Sequence, residues 1–410
     1  MSYLSDRSAP NPQQSFMELG LDLAGLRRAR LAKVQREMRQ RDIAALLLTD
    51  IVNIRYVTGV SVMPLWTAVN LAHYTLVPCE GEPTVFEYPQ ALFRATPFFT
   101  EVRPTKYWQP RFVDNTSGTA AKAWAQEIRS VLVEKGLVGG KVGIDQLDFH
   151  GFRALTEAGL ILADADEPME AARQIKLPAE IELMKQAAAV TEAALYDFEQ
   201  AIRPGVTENE LLGTFWHKLL SHGGEHCFTR LVASGHKTNP WFHEASAKLV
   251  RPGDLVGIDT DAIGPEGYAC DISRTFLCGD RPSKTQIEAY QVAHDFVQGT
   301  IELCRAGVSC ADLVERLPRV PDEYRMLRYP VVIHGIGTDD EPPFVPFPDQ
   351  PGAQVPRGEL QENMVLCVEF YAGKVGGQDG VKLEDQILIT NNGPVLLTHY
   401  PYDRSLLGRG

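Results

Sequence analysis

Residues 257–276 read GIDTDAIGPEGYACDISRTF. Two apolar, strand-like runs flank a turn rich in Gly and Pro, and Asp259, Asp261 and Asp271 interrupt what otherwise patterns as buried strand. An ionised carboxylate left alone in such a place costs several kcal/mol. Side chains alternate along a strand, so Asp259 and Asp261 are expected on one face with Thr260 on the other. The turn AIGPEGY then returns Asp271 towards the same pair. Further along, His334 closes VVIH, Glu369 sits inside MVLCVEFY and Glu384 opens EDQILIT. A strand-end, surface or salt-bridged position explains any one of these residues, but it explains the set poorly. Few Lys or Arg lie on these strands, and Arg274 is the nearby candidate partner. Bound cations neutralise several carboxylates together. Five carboxylates and one imidazole suit two divalent ions bridged by an acid, and a donor set without Cys favours manganese, iron or cobalt over a structural zinc.

The chain around this stretch has 410 residues, too many for one ordinary core, so two domains are expected. A net charge of −13 argues against nucleic acid or an anionic membrane surface as partner. The exception is RRARLAKVQREMRQR at 27–41, where Leu31, Val34 and Met38 fall at helical spacing and predict one amphipathic helix with a solvated basic face. Seven scattered cysteines without a CxxC pattern fit reduced thiols and a cytoplasmic location. No uninterrupted apolar run reaches the roughly 18 residues of a membrane span.

The expected organisation is a polar arm over 1–20, an α/β domain over 21–170 and a second domain over 171–410. In the first domain, helical stretches alternate with the short strands AALLLT, AHYTLVP and KVGID. The second domain opens on KLPAEIELMKQAAAVTEAAL, with Pro178 at a first helical turn, Glu180 and Glu182 after it, and a stripe through Ile181, Met184, Ala188 and Thr191. It also contains an internal echo, Arg203-Pro-Gly-Val-Thr-Glu-Asn-Glu-Leu211 against Arg305-Ala-Gly-Val-Ser-Cys-Ala-Asp-Leu313. Each copy ends one helix on a glycine and caps the next with Thr207 or Ser309, followed three residues on by Glu210 or Asp312. Strands follow each copy. This predicts an α+β domain of two pseudo-twofold halves, an antiparallel sheet flanked by helices, with a site between the halves.

Asp261, Asp271 in DISRTF, His334 in HGIG, Glu369 in VEFY and Glu384 in LEDQILIT resemble the five metal ligands of the creatinase/prolidase ("pita-bread") metallopeptidase family. KLPAEIELMKQAAAVTEAAL resembles the helix that opens that family's catalytic domain, and NIRYVTG resembles its N-terminal domain. The family's usual interval between its first two aspartates is eleven. Here it is twelve from Asp259 or ten from Asp261, so either aspartate fits the first ligand role. The family's peptidases carry a second histidine seven residues after the ligand histidine, for proton transfer. That position is Glu341 here, in HGIGTDDEPPF, beside Asp339 and Asp340. His243 sits where the family places a pocket histidine. His222 and His226 are separated by Gly223 and Gly224, which argues against a helical zinc pair and for structural or surface roles.

HGIGTDDEPPF and NPWFHE are most similar to one branch, the dimethylsulfoniopropionate (DMSP) lyases of pita-bread type. That resemblance implies a small zwitterionic substrate, cleaved to dimethyl sulfide and acrylate. It implies Asp340 as the base, with Asp339 and Glu341 as alternatives, and a sulfonium held by Trp241, Phe242 and Tyr329. It also implies two divalent ions, iron first and manganese, cobalt or zinc otherwise. A homodimer is implied too, in which Trp66 or Trp108 approaches a neighbouring site. The competing expectations are an Xaa-Pro dipeptidase or aminopeptidase, a lyase for another small cationic acid such as a betaine, and a binding module without catalysis.

Overall fold

The computed structural model describes residues 20–408 with the exception of residue 62. The polar arm expected over 1–20 therefore lies, apart from Gly20, outside the described residues. Two compact units emerge: Asp22–Arg173, and a second that runs on from Gln174.

The first unit is built on a six-stranded mixed sheet. Its strands are β1 (Ile43–Leu48), β2 (Tyr74–Pro78), β3 (Thr84–Glu87), β4 (Val102–Pro104), β5 (Lys141–Ile144) and β6 (Ile161–Asp164), in the spatial order β4-β3-β2-β1-β5-β6. The basic run forms helix α1 (Leu23–Gln40), and Leu31, Val34 and Met38 are buried as their spacing predicts. Its basic face is not wholly solvated, however. Arg30 and Lys33 are buried as well, and the Lys33 ammonium donates to the Tyr56 hydroxyl at 3.1 Å. The expectation that Trp108 approaches a neighbouring site is overturned. Its ring is fully buried, stacks on Trp124 at 4.2 Å and donates to the Asp148 carboxylate at 3.0 Å. Trp66 is about half exposed.

The second unit opens with helix α6 (Pro178–Ala201), in which the Leu177 amide donates to Glu180 and the stripe Ile181, Met184, Ala188, Thr191 is buried. Between α1 and α6 the longer helices are α2 (Ile51–Thr58), α3 (Ser117–Glu134), α4 (Phe149–Glu157) and α5 (Asp166–Gln174). The internal echo is structural. Thr207 caps α7 (Glu208–Ser221) and Ser309 caps α9 (Cys310–Arg316), with α8 (Lys284–Leu303) between them. In each copy the loop before the cap pairs with an extended segment. The Gly205 amide donates to the Val250 carbonyl and Val250 to Val206; Gly307 donates to Leu360 and Leu360 to Val308. Asp259 and Glu369 lie at the same offset beyond Val250 and Leu360, so the two halves carry equivalent acids to equivalent places.

From each half a sheet follows. Strands β8 (Val232–Ser234), β9 (Leu255–Asp259) and β12 (Ser273–Leu277) form an antiparallel sheet in the order β12-β9-β8. Beside it, β7 (His226–Cys227), β10 (Ala262–Ile263) and β11 (Ala269–Cys270) form a short one. The larger sheet has the order β14-β13-β15-β16-β17, from β13 (Val331–Ile336), β14 (Asp340–Pro346), β15 (Val365–Gly373), β16 (Gly380–Thr390) and β17 (Gly393–Leu396), and all its pairings are antiparallel. One face of β15 and β16, with Val368, Phe370, Leu383 and Ile387, enters a core shared with Ala293, Phe296 and Val297 of α8. The other face carries polar residues.

Candidate metal centre

Register places the polar face. Glu369 pairs with Glu384, Tyr371 with Lys382 and Cys367 with Gln386 across β15 and β16, while His334 of β13 pairs with Cys367. Directly opposed antiparallel residues project to the same side. Strands β12 and β16 meet at Thr275, whose hydroxyl accepts from the Lys382 amide at 3.2 Å and donates to the Lys382 carbonyl at 3.0 Å. This contact sets Asp259, at the end of β9, beside Glu384, with the Ser273 hydroxyl bridging their carboxylates.

Asp261 reaches the site differently from expectation. It does not extend the strand of Asp259. The chain leaves β9 after Asp259, Asp261 adopts a left-handed backbone at φ 36°, and β10 belongs to another sheet. Asp271 likewise falls between β11 and β12, and its Oδ1 accepts from the Asp261 amide at 3.2 Å. Thr260 points away and ties the crossing to the Cys270 carbonyl and the Ile272 amide. The Thr229 hydroxyl donates to Asp261.

Two basic residues differ from expectation. Arg274 is buried but turns away from the cluster, towards Asp385 at 2.7 Å and the Tyr400 carbonyl. The partner of the cluster is Lys382, whose ammonium lies 3.0 Å from Asp259, 2.7 Å from Glu369 and 3.1 Å from Glu384. Its sequence signal was position: two residues before Glu384 on one strand, hence on the same face.

Five carboxylates, four of them buried and Asp261 partly so, gather around that ammonium and the imidazole of His334, and their proton affinities record the imbalance. Burial, with the charge of Asp259 adding, pushes Asp261 up to about 7. Burial pushes Glu369 up to about 8 against the pull of Lys382. Asp259 and Asp271 are raised chiefly by burial, Asp271 by a large margin. Glu384 alone goes down: burial would raise it, but Lys382 and His334 outweigh burial. Burial also opposes a charged His334 ring, yet hydrogen bonds to Asp340 and Glu384 hold it well above the ordinary histidine range. Its Nδ1 faces the Gly335 carbonyl at 3.1 Å and Asp340 at 3.2 Å, which fixes a proton there. Nε2, 3.3 Å from Glu384, is the nitrogen left to donate electrons to a cation. Two sets of ligand atoms lie within 4.8 Å of one another: His334, Cys367 and Glu384, and Asp259, Asp271 and Glu384. A carboxylate excess of this kind, buried and converging, fits divalent cations.

A cavity of about 340 Å³ opens on the cluster, with Asp259, Asp261, Asp271, His334 and Glu369 in its lining. Its aromatic walls are Phe228, Phe242, Tyr329 and Phe344. The Phe242 and Tyr329 rings lie 5.2 Å apart, and Phe344 lies 6.0 Å from the His334 ring. Trp241, expected in this wall, is not among its lining residues. It is buried against Ala233 and Tyr371, and Gly257 makes room for it, since a Cβ there would come within 3.0 Å of the indole. His243 is exposed and does not line the cavity either. Phe228, at a short strand's end, gave no signal in the sequence. Of the three acids after His334, Asp340 lines the cavity with its side chain half exposed. Glu341 is buried and ion-paired to Lys176 at 2.6 Å, and Asp339 accepts from the Asp340 amide.

Comparison with known proteins follows this geometry. The model of metallopeptidase family M24 matches residues 182–391, and that of the creatinase/prolidase N-terminal domain matches residues 30–175. The dimethylsulfoniopropionate lyase DddP of Roseovarius nubinhibens is 34% identical over 399 residues, 95% of this chain and 89% of that protein. Its namesake in Roseobacter denitrificans is 33% identical, covering 94% and 88%. Among solved structures, the Xaa-Pro dipeptidase from Bacillus anthracis superposes with a TM-score of 0.73 at 22% identity, covering 92% of this chain and 99% of that one.

Proposed function

The chain belongs to metallopeptidase family M24, with a creatinase/prolidase N-terminal domain and the pita-bread fold, and on that premise we propose that it is a metal-dependent carbon–sulfur lyase that splits DMSP into dimethyl sulfide and acrylate. The observation that carries the reading is the cavity, where one half-exposed carboxylate, Asp340, stands beside the donor set and faces aromatic walls. The near full-length likeness to two DMSP lyases supports it.

In this reading Asp259, Asp261, Asp271, His334, Glu369 and Glu384 hold two divalent ions. When bound, such ions supply Lewis acidity for a substrate carboxylate and for negative charge developing on the adjacent carbon. The chain does the rest. Phe242 and Tyr329, with Phe228 and Phe344, present ring faces to the sulfonium, a cation without hydrogen-bond donors. Each contact contributes about 0.5–2 kcal/mol and leaves the positive charge intact, so the sulfide remains a good leaving group. Asp340 accepts the α-proton. The C–H electron pair becomes the C=C bond of acrylate, and the C–S pair departs with dimethyl sulfide. The His334 Nδ1–H, 3.2 Å from Asp340 Oδ1, orients the carboxylate. The peptidase alternative lacks a proton donor where the family's peptidases need one, because Glu341 is buried against Lys176. The reading extends to iron as the metal, a homodimeric assembly and a cytoplasmic location. Among the described residues no helix is long and apolar enough to cross a membrane, and all seven cysteines are free thiols.

Headspace gas chromatography on purified protein with DMSP, beside an Xaa-Pro dipeptide assay, tests this. Dimethyl sulfide released in proportion to protein, with the dipeptide intact, is the expected result. Dipeptide cleavage without dimethyl sulfide returns the chain to the peptidases.

A further inference from the structure

Asp340, the base in the reading above, stands on a strand with few ladder bonds to hold it. β14 is the edge of its sheet, its register with β13 shifts twice, and three of its seven residues are prolines, which have no amide to donate. The short segment before α6 supplies what the ladder lacks. Lys176 is buried there, and its ammonium donates to Glu341 Oε2 at 2.6 Å and to the Gln174 carbonyl at 3.2 Å. Its own amide donates to the Asn363 carbonyl at 2.9 Å, just before β15 begins. The Gln174 side-chain amide donates to the Pro342 carbonyl at 3.2 Å. Residues 174–176 thus tie β14 at two successive positions and anchor it beside the entry to β15. Two glycines of HGIG make room for the arrangement. A Cβ at Gly337 would collide with the Glu341 carboxylate, and one at Gly335 would come within 2.6 Å of the Glu341 and Pro342 carbonyl oxygens. A buried ion pair is in general weak support for stability, so geometry is the better account of this one. Alternation turns Glu341 inward and Asp340 outward, and a tie at the first fixes the backbone of the second.

We propose that Lys176 is a positioning residue for the elimination: by holding Glu341 it fixes β14, and with it the Asp340 carboxylate, at 3.2 Å from the His334 ring. The inference rests on the lyase reading and on Asp340 as its base. Lys176 touches neither the cavity lining nor the metal-site carboxylates named above. Its effect is therefore confined to the proton-transfer step, where a displacement of about 1 Å costs about 100-fold in rate. Substrate binding, assigned to the ions and the aromatic walls, does not depend on it.

Steady-state kinetics of the full chain with DMSP test this. Lys176→Met is expected to lower kcat about 10–100-fold with KM and metal content little changed. Glu341→Ala should do the same, and the double variant should lose no more than the worse single one, because both act through one contact. Losses that multiply in the double variant, or an unchanged kcat in Lys176→Met, overturn the proposal and leave the lyase reading standing. Should Lys176→Met fail to fold, Gln174→Ala removes the second tie without stranding a charge; a lower kcat at constant KM is expected there, and an unchanged kcat overturns the proposal. No dimethyl sulfide from the unaltered protein overturns the lyase reading instead. Amide hydrogen exchange over 339–347 then decides the positioning of β14 without substrate: faster exchange in Lys176→Met there, with β15 and β16 unaffected, is expected, and equal exchange overturns it.

Discussion

At Lys382 three carboxylates share one ammonium, and its stem leaves the backbone at the junction of two sheets. Lys382→Met removes the charge but keeps most of the volume. In the metal-free protein this leaves buried carboxylates uncompensated, so a loss of about 3–5 kcal/mol in unfolding free energy is expected. With divalent metal bound, the loss should be smaller, because the cations take over the neutralisation. Urea midpoints with and without metal measure the difference, and an equal loss in both states would count against this electrostatic account. Asp340 is the complementary residue, half exposed and outside the buried cluster. Asp340→Asn is expected to lower kcat for DMSP about 10²–10⁴-fold while metal content, read by plasma mass spectrometry, stays at the level of the unaltered protein. His334→Ala, by contrast, should lose metal along with activity. An active Asp340→Asn protein would remove Asp340 from the chemistry.

Among the elements, β14 shows best what sequence reasoning could and could not reach. Its residues, DEPPFVP, include three prolines, which argue against a strand. The chain tolerates them because β14 is the edge of the five-stranded sheet, where missing amide donors go unused. Alternation along it exposes Asp340 and Phe344 and buries Glu341 and Val345. That separates the cavity acid from its neighbour in a way the bare triplet Asp339-Asp340-Glu341 could not. Phe344→Leu keeps the apolar volume and removes the ring face, so KM for DMSP should rise about 2–30-fold, the equivalent of 0.5–2 kcal/mol, with kcat little changed. Initial-rate kinetics on that variant check it, and an unchanged KM would take Phe344 out of the wall. The long helices and the longer apolar strands of the second unit are legible because their residues recur at helical or strand spacing, and the paired echoes mark its halves in the sequence. Trp241 was not placed correctly, because an aromatic beside a site reads the same whether it lines the cavity or fills the space above Gly257. Lys382 was overlooked for the opposite reason. A lysine in a strand looks like surface until register with Tyr371 places it inside.

On the scale of the whole chain, acidity is the governing property, with a net charge of −13, and it is concentrated at more than the candidate metal centre. In the Asp22–Arg173 unit the chain emerging from the ends of β1, β5 and β6 carries Asp50, Asp145, Asp164 and Asp166. Asp145 is well supplied, accepting from the Thr49 and Asp50 amides and the Asn53 side chain. Asp166, exposed in the first turn of α5, is raised to about 6 by partial desolvation of its carboxyl and by the charges of Asp164, Asp145, Glu170 and Asp50. The sign of the consequence follows from proton linkage. Between the ordinary aspartate value, near about 4, and 6, the folded chain holds a proton that the unfolded chain has already lost. Stability contributed by Asp166 is therefore present at low pH and lost as pH rises through that window. Asp166→Asn removes the titration, so it should raise the urea midpoint at pH 7.5 and change it little at pH 4. The favourable interaction of an anion with the helix N-terminus, lost in the same substitution, opposes part of the gain at pH 7.5. Midpoints measured across pH 4–7.5 for both proteins should diverge chiefly between pH 4 and 6. A constant offset across the range would show that Asp166 acts through packing and not through its charge.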